Sequence, residues 1–341
     1  MASKEFMQRI FLIYNPRSSR YAEVRRDVID RMPDYKGYII GKYEVKPTTI
    51  DNNIATFSKL LKDGDIVVSA GGDATGVIAV NSILKSGKDV TLGVLPYGNF
   101  NDLARTLRTN TFDDILTSEA PKRSSEGSFG GCCRERSGAS PVKTGASDRV
   151  PEEDLSVLYP LDIIVDGKHW RYATCYVTIG MTAEAVYIYD EPKMRRKLKT
   201  NFGRKILSYT ELAGWYFKHR HKKQFIPDFT LNGIKQNPKT SDYAAVNGRS
   251  MARVMRGGED YLDPKIFRSE TDRLTNFWRL MKLMLRSILH RIPGATTTGD
   301  ILEFAHPATV TLQAEGEHQV FKNIHTIEIK KGSKCLKVIQ N

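Results

Sequence analysis

Two short turns near the start of the chain combine glycines with carboxylates, and each follows an apolar run. Gly71-Gly72-Asp73 comes after Ile66–Ala70, and the turn from Gly98 to Asp102 comes after Val90–Leu95. Glycines after a strand let backbone N–H groups approach a phosphate closely. A carboxylate there can hold Mg²⁺ or take a proton from an attacking hydroxyl. The paired turns therefore indicate phosphate chemistry, whereas one Gly-Gly-Asp tripeptide alone would be an ordinary tight turn.

The elements around these turns predict a parallel sheet. The two apolar runs are short and rich in β-branched residues, which is typical of buried parallel strands. Thr75–Lys85 between them has the length of a helix, and Arg9–Tyr14 and Lys42–Val45 predict two further strands. Repeated strand and helix favour a largely parallel sheet with right-handed connections. Ligands bind at the carboxyl edge of such sheets, so we expect the turns to gather there.

A third polar turn, N-P-R-S-S at Asn15–Ser19, follows the first strand and opens a helix predicted near Tyr21–Met32. N–H groups at a helix start favour phosphate, and the two serine hydroxyls add donors. The alternative is an ordinary helix cap. Thr49 follows the second strand, where by itself it would be a turn residue.

These motifs resemble a known family. G-G-D-A-T at Gly71–Thr75 and L-P-Y-G-N-F-N-D-L-A-R at Leu95–Arg105 resemble the G-G-D-G-T and L-P-x-G-T-x-N-D-x-A-R signatures of the diacylglycerol kinase catalytic family. N-P-R-S-S is similar to the family's N-P-x-S-G phosphate loop. The family includes bacterial lipid kinases and sphingosine and ceramide kinases. The sequence departs from the family at Ala74, at Asn99-Phe100 and at Ile78, where relatives often carry Glu.

The resemblance implies that ATP and Mg²⁺ bind in the N-terminal domain. The expected cofactor-binding residues are Asn15, Pro16, Arg17, Ser18, Ser19, Thr49, Gly71, Gly72, Asp73, Ala74, Thr75, Gly98, Asn101, Asp102 and Glu317. Asp73, Asp102 and Asp272 are the expected metal ligands. For the last of these, which would match a structural metal site of some relatives, Glu270 is the alternative.

The resemblance also implies two catalytic residues. Asp73 would help to place Mg²⁺. Near the end of the chain, Q-A-E-G-E is similar to the family's D-G-E, whose first acid is the proposed base in bacterial relatives; here that residue is Glu315. By itself, an E-G-E turn between two strands is usually only a turn.

The chain divides by composition into three parts. Residues 1–118 form the expected α/β kinase domain with a mainly parallel sheet, as in NAD kinases and diacylglycerol kinases. Residues 119–156 are rich in Ser, Gly and charged residues and predict a flexible insert or linker. Residues 157–341 are β-rich, with a hairpin predicted from Leu161–Val165 and Trp170–Ile179, and they match the family's antiparallel β-sandwich lipid-substrate domain. By the same resemblance, the C-terminal end can pack back on the first domain.

The net charge of +13 indicates an acidic partner surface. Basic segments at 193–205 and 218–223 either attract anionic lipid or are solvated helix ends. A basic amphipathic helix predicted at 276–292 either lies in a membrane interface or covers the sandwich. A nucleic acid is not expected, because no module for it is present. No apolar run reaches the length of a membrane span. We therefore expect a cytoplasmic protein that associates peripherally with a membrane; the oligomeric state is not encoded in any pattern.

The leading hypothesis is an ATP-dependent lipid kinase that phosphorylates the hydroxyl of diacylglycerol or a related lipid alcohol. One alternative is a catalytically degenerate protein that binds nucleotide or lipid on the same fold, motivated by Ala74 and by Asn99-Phe100, which would narrow the nucleotide pocket. The second is a kinase for a soluble substrate, since NAD kinases share G-G-D-x-T.

Overall fold

The computed structural model describes residues 8–35, 38–98, 101–109, 111–117, 155–190, 214–215, 217–219, 225–251, 255–273, 278, 285 and 294–340. Its strands are β1 (Gln8–Tyr14), β2 (Tyr38–Glu44), β3 (Ile66–Gly71), β4 (Thr91–Pro96), β5 (Leu155–Leu158), β6 (Leu161–Val165), β7 (Lys168–Ala173), β8 (Tyr176–Gly180), β9 (Phe229–Leu231), β10 (Ile234–Lys235), β11 (Asp242–Val246), β12 (Ser250–Met251), β13 (Met255–Arg256), β14 (Phe267–Asp272), β15 (Ala295–Thr297), β16 (Gly299–Ala314), β17 (Glu317–Lys331) and β18 (Leu336–Ile339). Its α-helices are α1 (Tyr21–Val24), α2 (Ile50–Ser58), α3 (Asp73–Ser86), α4 (Asp102–Leu107), α5 (Phe112–Thr117) and α6 (Met181–Asp190).

Within the described residues, the first sheet has the strand order β2-β1-β3-β4-β18-β5. All neighbouring pairs are parallel except β18 and β5, which are antiparallel. Successive residues of β1 enter different apolar clusters: Phe11 and Ile13 pack on one face, and Ile10 and Leu12 on the other. The sheet is therefore covered on both faces, which explains why its strands are continuous apolar runs rather than alternating ones.

The second domain is an antiparallel sheet with the order β15-β14-β11-β8-β16-β17-β6-β7 in the described part of the chain, with β9 and β10 attached beside β16. β16 and β17 form a long hairpin, and β16 is irregular between Glu303 and Val310. Before this irregularity β16 pairs with β9, and after it with β8. The bend lets one long strand line two parts of the sheet around a separate apolar core. The predicted fold class is confirmed: a mainly parallel α/β domain is followed by an antiparallel β domain.

The two domains pack against each other through α2, α3 and α4. Tyr172, Tyr176 and Val246 of the second domain belong to the same apolar cluster as the residues of α3. At this junction, the buried side chain of Asn81 in α3 donates to Tyr172 O at 3.0 Å and accepts from Tyr172 N at 2.9 Å. A side-chain amide thus completes the hydrogen bonds of β7, and the orientation of the two domains is fixed by directional bonds as well as apolar contact.

The sequence predicted a single strand over Trp170–Ile179, and this prediction is wrong. The structure divides this stretch into β7 and β8, with a bend at Thr174 and Cys175. Both residues are fully buried. The backbone groups of the bend are released from the sheet ladder and are free to bind a side chain.

The basic segment at 193–205 lies outside the described residues. The segments at 218–223 and 276–292 lie largely outside them, as do the 119–156 insert and the departures at Asn99 and Phe100. No helix in the part of the chain that the structure describes has the length and apolar character needed to cross a membrane.

Candidate active site

The strands of the first sheet bring the predicted turns to one edge. Tyr14, the last residue of β1, lies beside Glu44 and Ala70, and Gly71 lies beside Pro96. Because β1 to β4 are parallel and end at the same level, the segments that follow them all emerge at the carboxyl edge. The structure thus collects every predicted cofactor-binding residue of the first domain that it describes at one edge, as the sequence predicted.

Asp73 joins two of these turns. It is the first residue of α3, and its carboxylate accepts the N–H of Asp102 at 2.9 Å and the N–H of Asn101 at 3.3 Å. These are the first N–H groups of α4, so the carboxylate of one helix start caps the start of another. Asp73 therefore lies between the two glycine turns with a fixed orientation.

Glycine is required where these two turns touch. A Cβ on Gly98 would overlap the backbone of Gly72, and one on Gly72 would lie 3.3 Å from Gly98 Cα. Asn101 then fixes the second turn: it has a left-handed backbone (φ 58°), and its side chain accepts Gly98 N at 2.6 Å and donates to Gly98 O at 3.0 Å. The side chain of Asn101 thus shapes the turn in this structure, and its contact with a nucleotide stays a prediction.

The turn after β1 is also preorganised. Asn15 O accepts from Ser18 N, and Asn15 Oδ1 accepts from Arg17 N, both at 3.0 Å. Among the described residues, the buried Ser18 Oγ has no hydrogen-bond partner. A buried hydroxyl without a partner is costly, so this group fits the oxygen of a bound phosphate. Thr49 caps α2 by accepting from Asn52 N at 3.2 Å, which is a structural role.

Ala74 occupies the second position of α3 and is absent from the residues with positive φ. A glycine is therefore not required at this position by the backbone conformation. The departure from the family signature at Ala74 causes no strain in this structure.

Glu315 reaches the site from the second domain. It lies with Gly316 in the tight turn between β16 and β17, and both have left-handed backbones (φ 51° and 86°). This is the conformation of a two-residue hairpin turn, in which Asn or Asp is more usual than Glu at the first position. The side chain is buried, and its Oε1 accepts three hydrogen bonds, from Thr174 N, Thr174 Oγ1 and Cys175 N.

Among the described residues, these three bonds leave the other carboxylate oxygen, Oε2, without a hydrogen bond. All hydrogen bonds of Glu315 to the described residues end on Oε1. A carboxylate held through one oxygen keeps the lone pairs of Oε2 for another ligand, and its orientation is set by the bend between β7 and β8. Glu317, the other acid of the turn, is the first residue of β17 and is less buried than Glu315.

Burial and mutual repulsion raise the pKa of the carboxyls at the site. Desolvation, followed by the charge of Asp102, raises the pKa of Asp73 to about 8. Desolvation raises the pKa of Glu315 to about 6, although its hydrogen bonds act in the opposite direction. Asp102 is itself buried and accepts from Ser250 Oγ of the second domain at 2.6 Å. Glu315 also contributes to the raised pKa of Asp73, so these acids share one electrostatic environment.

The carboxylates of the site suit Mg²⁺ only if a bound phosphate and water supply further oxygen ligands. Carboxylate oxygens are the groups that Mg²⁺ prefers, and Asp73 and Asp102 supply them. Within the described residues, however, no group of three or more His, Cys, Asp or Glu is arranged to hold a metal. This fits a cation that is bound by one or two carboxylates together with phosphate oxygens and water.

Asp272 does not lie with these acids. It ends β14 beside Asp242, which pairs with Gly180 at the far end of β8, whereas Glu315 is bound next to the start of β8. Four residues of strand correspond to about 13 Å. Repulsion from Asp272 is a minor contribution to the pKa of Asp242, which burial raises to about 7. The assignment of Asp272 to a metal site stays a prediction, and it would concern a different site.

Three residues of the site were not predicted from the sequence. Thr174 and Cys175 bind Glu315, and Ser250 binds Asp102. Thr174 and Cys175 read as the middle of a strand, and Ser250 lies in an unremarkable N-G-R-S stretch. The one signal in the sequence was the dipeptide Asn247-Gly248, which is typical of a turn and follows the apolar run that ends at Val246.

The fold and the site together define a class of protein. An α/β domain carries glycine turns and carboxylates at the carboxyl edge of its sheet, and an antiparallel β domain adds an acid to that edge. Residues 9–126 match the family model of the diacylglycerol kinase catalytic domain, which confirms the resemblance predicted from the sequence.

Curated relatives and solved structures agree with this. The chain is 33% identical over 105 residues to a diacylglycerol kinase of Bacillus subtilis (strain 168), and 32% identical over 98 residues to one of Staphylococcus haemolyticus (strain JCSC1435). These alignments cover 30% and 28% of this chain and 33% and 29% of the relatives, so the chain spans only about a third of their length in sequence. A crystal structure of a diacylglycerol kinase from Bacillus anthracis str. Sterne has a TM-score of 0.58 at 11% identity, covering 100% of this chain and 98% of the other. At that identity the structural likeness shows the fold alone.

Proposed function

We propose that the protein is an ATP-dependent lipid kinase that transfers the γ-phosphate to the hydroxyl of diacylglycerol or a related lipid alcohol. The observation that carries this proposal is the position of Glu315. A buried carboxylate from the second domain, held through one oxygen and with a raised pKa, shares its surroundings with Asp73 and Asp102 at the edge of the first domain. The match of residues 9–126 to the diacylglycerol kinase catalytic domain supports a kinase.

In this mechanism the chain supplies positioning and one proton acceptor. The hydroxyl oxygen of the lipid attacks the γ-phosphorus, and Oε2 of Glu315 accepts the proton of that hydroxyl. The bond between the γ-phosphorus and the β-γ bridging oxygen breaks, which releases ADP. The glycine turns and the hydroxyl of Ser18 hold the phosphates through N–H and O–H groups. When bound, Mg²⁺ neutralises phosphate charge, and Asp73 and Asp102 would hold it. Phosphoryl transfer needs little else from a protein than alignment and charge stabilisation.

The remaining predictions belong to the same proposal. Residues 1–118 would bind the nucleotide with the predicted cofactor-binding residues, and residues 157–341 would bind the lipid. The intervening 119–156 insert lies almost wholly outside the described residues. The lipid would be taken from an anionic membrane surface on the cytoplasmic side, in a role in phospholipid biosynthesis, without nucleic acid.

Two rival functions remain. The first is a degenerate protein that binds nucleotide or lipid without catalysis. The helical backbone at Ala74 removes one of its two motives, strain at that position. The other motive, a nucleotide pocket narrowed by Asn99-Phe100, concerns residues outside the described ones. The second is a kinase for a soluble substrate, as NAD kinases are. The names of the relatives favour a lipid over a soluble acceptor.

The test is transfer of labelled γ-phosphate from ATP, with Mg²⁺, to a panel of lipid alcohols in mixed micelles. Wild type and Asp73→Asn are compared, because an amide keeps one acceptor for the α4 N–H groups but loses the charge. We expect a labelled lipid from wild type only. Binding of ATP without any product would favour the degenerate protein, and labelling of NAD instead of lipid would favour the soluble-substrate kinase.

A further inference from the structure

The four residues Asn247–Ser250, which follow β11, contact both halves of the candidate site. The backbone N–H groups of Asn247 and Gly248 donate to Cys175 O at 2.7 and 2.8 Å. The side chain of Asn247 donates to Thr174 O at 2.8 Å. These bonds hold the bend between β7 and β8 from its carbonyl side, while the N–H groups of the same bend hold Glu315. Asn247 therefore acts on Glu315 through one intervening peptide.

The other end of this segment contacts α4 of the first domain. Ser250 Oγ donates to Asp102 Oδ1 at 2.6 Å, and Arg249 N donates to Thr106 Oγ1 at 3.2 Å. Thr106 Oγ1 in turn lies 3.5 Å from Cys175 Sγ. Within four residues, the segment thus connects the bend that binds Glu315 to the side chain of Asp102, across the junction of the two domains.

The backbone of this segment has little room to move. A Cβ on Gly248 would lie 2.9 Å from both Cys175 Cα and Thr106 Oγ1, and a Cβ on Gly257 would overlap Gly248 O. Such contacts are closer than ordinary packing allows, so only glycine fits at both positions. The segment is held between α4, the bend and Gly257, and a shift at one end is transmitted to the other.

Asn247 also carries a cost that packing alone does not explain. Its side chain is completely buried, and its Nδ2 is committed to Thr174 O and to Tyr159 O at 2.9 Å. Both acceptors are carbonyls, which fixes the orientation of the amide and leaves Oδ1 buried with no hydrogen-bond partner among the described residues. An unpaired buried carbonyl is costly, and the two bonds of Nδ2 hold the amide in this orientation against that cost.

We propose that Asn247 and Ser250 are positioning residues that hold Glu315 and Asp102 in one fixed geometry across the domain junction. This inference rests on the proposed phosphoryl transfer. Asn247 sets the orientation of the proposed base through Thr174 and Cys175, and Ser250 sets the carboxylate of Asp102 on the nucleotide side. Neither residue needs to touch the lipid or the nucleotide.

The test uses Asn247→Ala and Ser250→Ala in the full chain, with kcat, KM for each substrate and the pH dependence of kcat/KM. Asn247→Ala is expected to lower kcat by about tenfold to a hundredfold, because the carboxylate of Glu315 would no longer be aligned with the lipid hydroxyl whose proton it accepts. Its KM for ATP stays near that of wild type. Ser250→Ala is expected to raise the KM for ATP with Mg²⁺, and Ser250→Thr, which keeps the hydroxyl, to restore it.

A second readout does not depend on turnover. Carbon-13 NMR of labelled Glu side chains, with Glu315 assigned by its loss in Glu315→Gln, reports the pKa of this carboxyl directly. Asn247→Ala is expected to raise that pKa, because the three donors to Oε1 are no longer fixed. Among the described residues, the titratable groups that face Glu315 are Asp102, Asp73, Cys175 and Tyr176, and all are present in this variant.

Two matched variants control for loss of stability. Asn232→Ala removes an amide that bonds Asp300 and Ile301 in the second domain, and Ser82→Ala removes a buried hydroxyl in α3. Both are expected to lower the free energy of unfolding without changing KM or the pKa of Glu315.

The outcomes separate the two proposals. Failure of wild type to phosphorylate any lipid would overturn the proposed function, and the NMR titration would still test the role of Asn247. An unchanged pKa and kcat in a folded Asn247→Ala would overturn the positioning role. If Asn247→Ala does not fold, an unaltered KM in Ser250→Ala overturns it instead.

Discussion

At the scale of single residues, the site is defined by buried carboxylates. Asp73 and Glu315 are buried, and each carries a pKa above its ordinary range, chiefly because of desolvation. Burying an acid in this way costs the protein stability. Buried acids with raised pKa values are typical of functional sites, where a carboxyl receives a metal ion or takes up a proton.

Glu315→Gln is expected to reduce turnover by about 10²- to 10⁴-fold, because the amide cannot accept the proton of the lipid hydroxyl. The carboxylate of Asp73 would have to be ionised to hold Mg²⁺, and its pKa is about 8, so in wild type kcat/KM is expected to fall from about pH 8 downward. Below about pH 6 the fall is expected to steepen, because Glu315, with a pKa of about 6, is then protonated as well. The measurement is a pH profile of transfer for both proteins. Glu328→Gln, on the same hairpin, is the control and should match wild type. In Glu315→Gln the steepening below about pH 6 should vanish; if it persists, the titration near pH 6 belongs to another group.

Ala74→Gly distinguishes an intact site from a degenerate one. Since Ala74 has a helical backbone, glycine adds only flexibility to the first turn of α3 and costs up to about 1 kcal/mol. We expect activity within about twofold of wild type and a slightly lower free energy of unfolding, measured by transfer and by urea titration. A large rise in activity would instead show that the departure from the family signature had damaged the site.

At the scale of elements, the site depends on turns that touch through their backbones. Gly72 precedes α3 and Gly98 precedes α4, and no side chain fits between them. The carboxylate of Asp73 then bonds the N–H groups at the start of α4. Two helices are therefore fixed to each other at their N-terminal ends, which sets the geometry of this edge before any ligand binds.

Gly98→Ala is expected to separate these two turns. The added Cβ would overlap Gly72, so the second turn must move away and the contact between Asp73 and the N–H of Asp102 must lengthen. We expect transfer to fall by at least about tenfold, because small displacements of positioning groups are costly in phosphoryl transfer. The matched control is Gly76→Ala in α3, where the nearest atom is a leucine methyl at 3.4 Å and alanine favours the helix. Equal activity of the two variants would contradict the role given to the turn contact.

The elements also show what could be predicted from the sequence. β3 and β4 were predicted almost to the residue, because a parallel strand covered on both faces is a continuous apolar run. The bend at Thr174 was not predicted, because its surroundings look like a strand and its cause lies in Glu315 and Asn247, both distant in sequence. The role of Glu315 was inferred only from the resemblance, since nothing local distinguishes an E-G turn with a buried acid from one with an exposed acid.

At the scale of the whole molecule, the two domains act as one unit around the site. Arg171 in β7 bonds Asp51 in α2 at 2.8 Å, Asn81 bonds Tyr172, and Ser250 bonds Asp102. Each bond connects the α/β domain to the antiparallel domain. A reaction that needs a nucleotide from one domain and a base from the other requires such a fixed junction, because alignment across the junction sets the rate.

The charge of the whole chain determines the surface from which a lipid would be taken. With 52 Lys and Arg against 39 Asp and Glu, the protein is expected to bind vesicles that contain anionic lipid and diacylglycerol, with about 1 kcal/mol for each basic residue near the surface. Raising salt from about 0.1 M to about 1 M shortens the Debye length from about 10 Å to about 3 Å, so binding measured by vesicle sedimentation should fall steeply. Vesicles of neutral lipid with the same diacylglycerol content are the control. If those vesicles bind equally well and salt has no effect, the lipid is reached by apolar contact, and the net charge plays no part in membrane association.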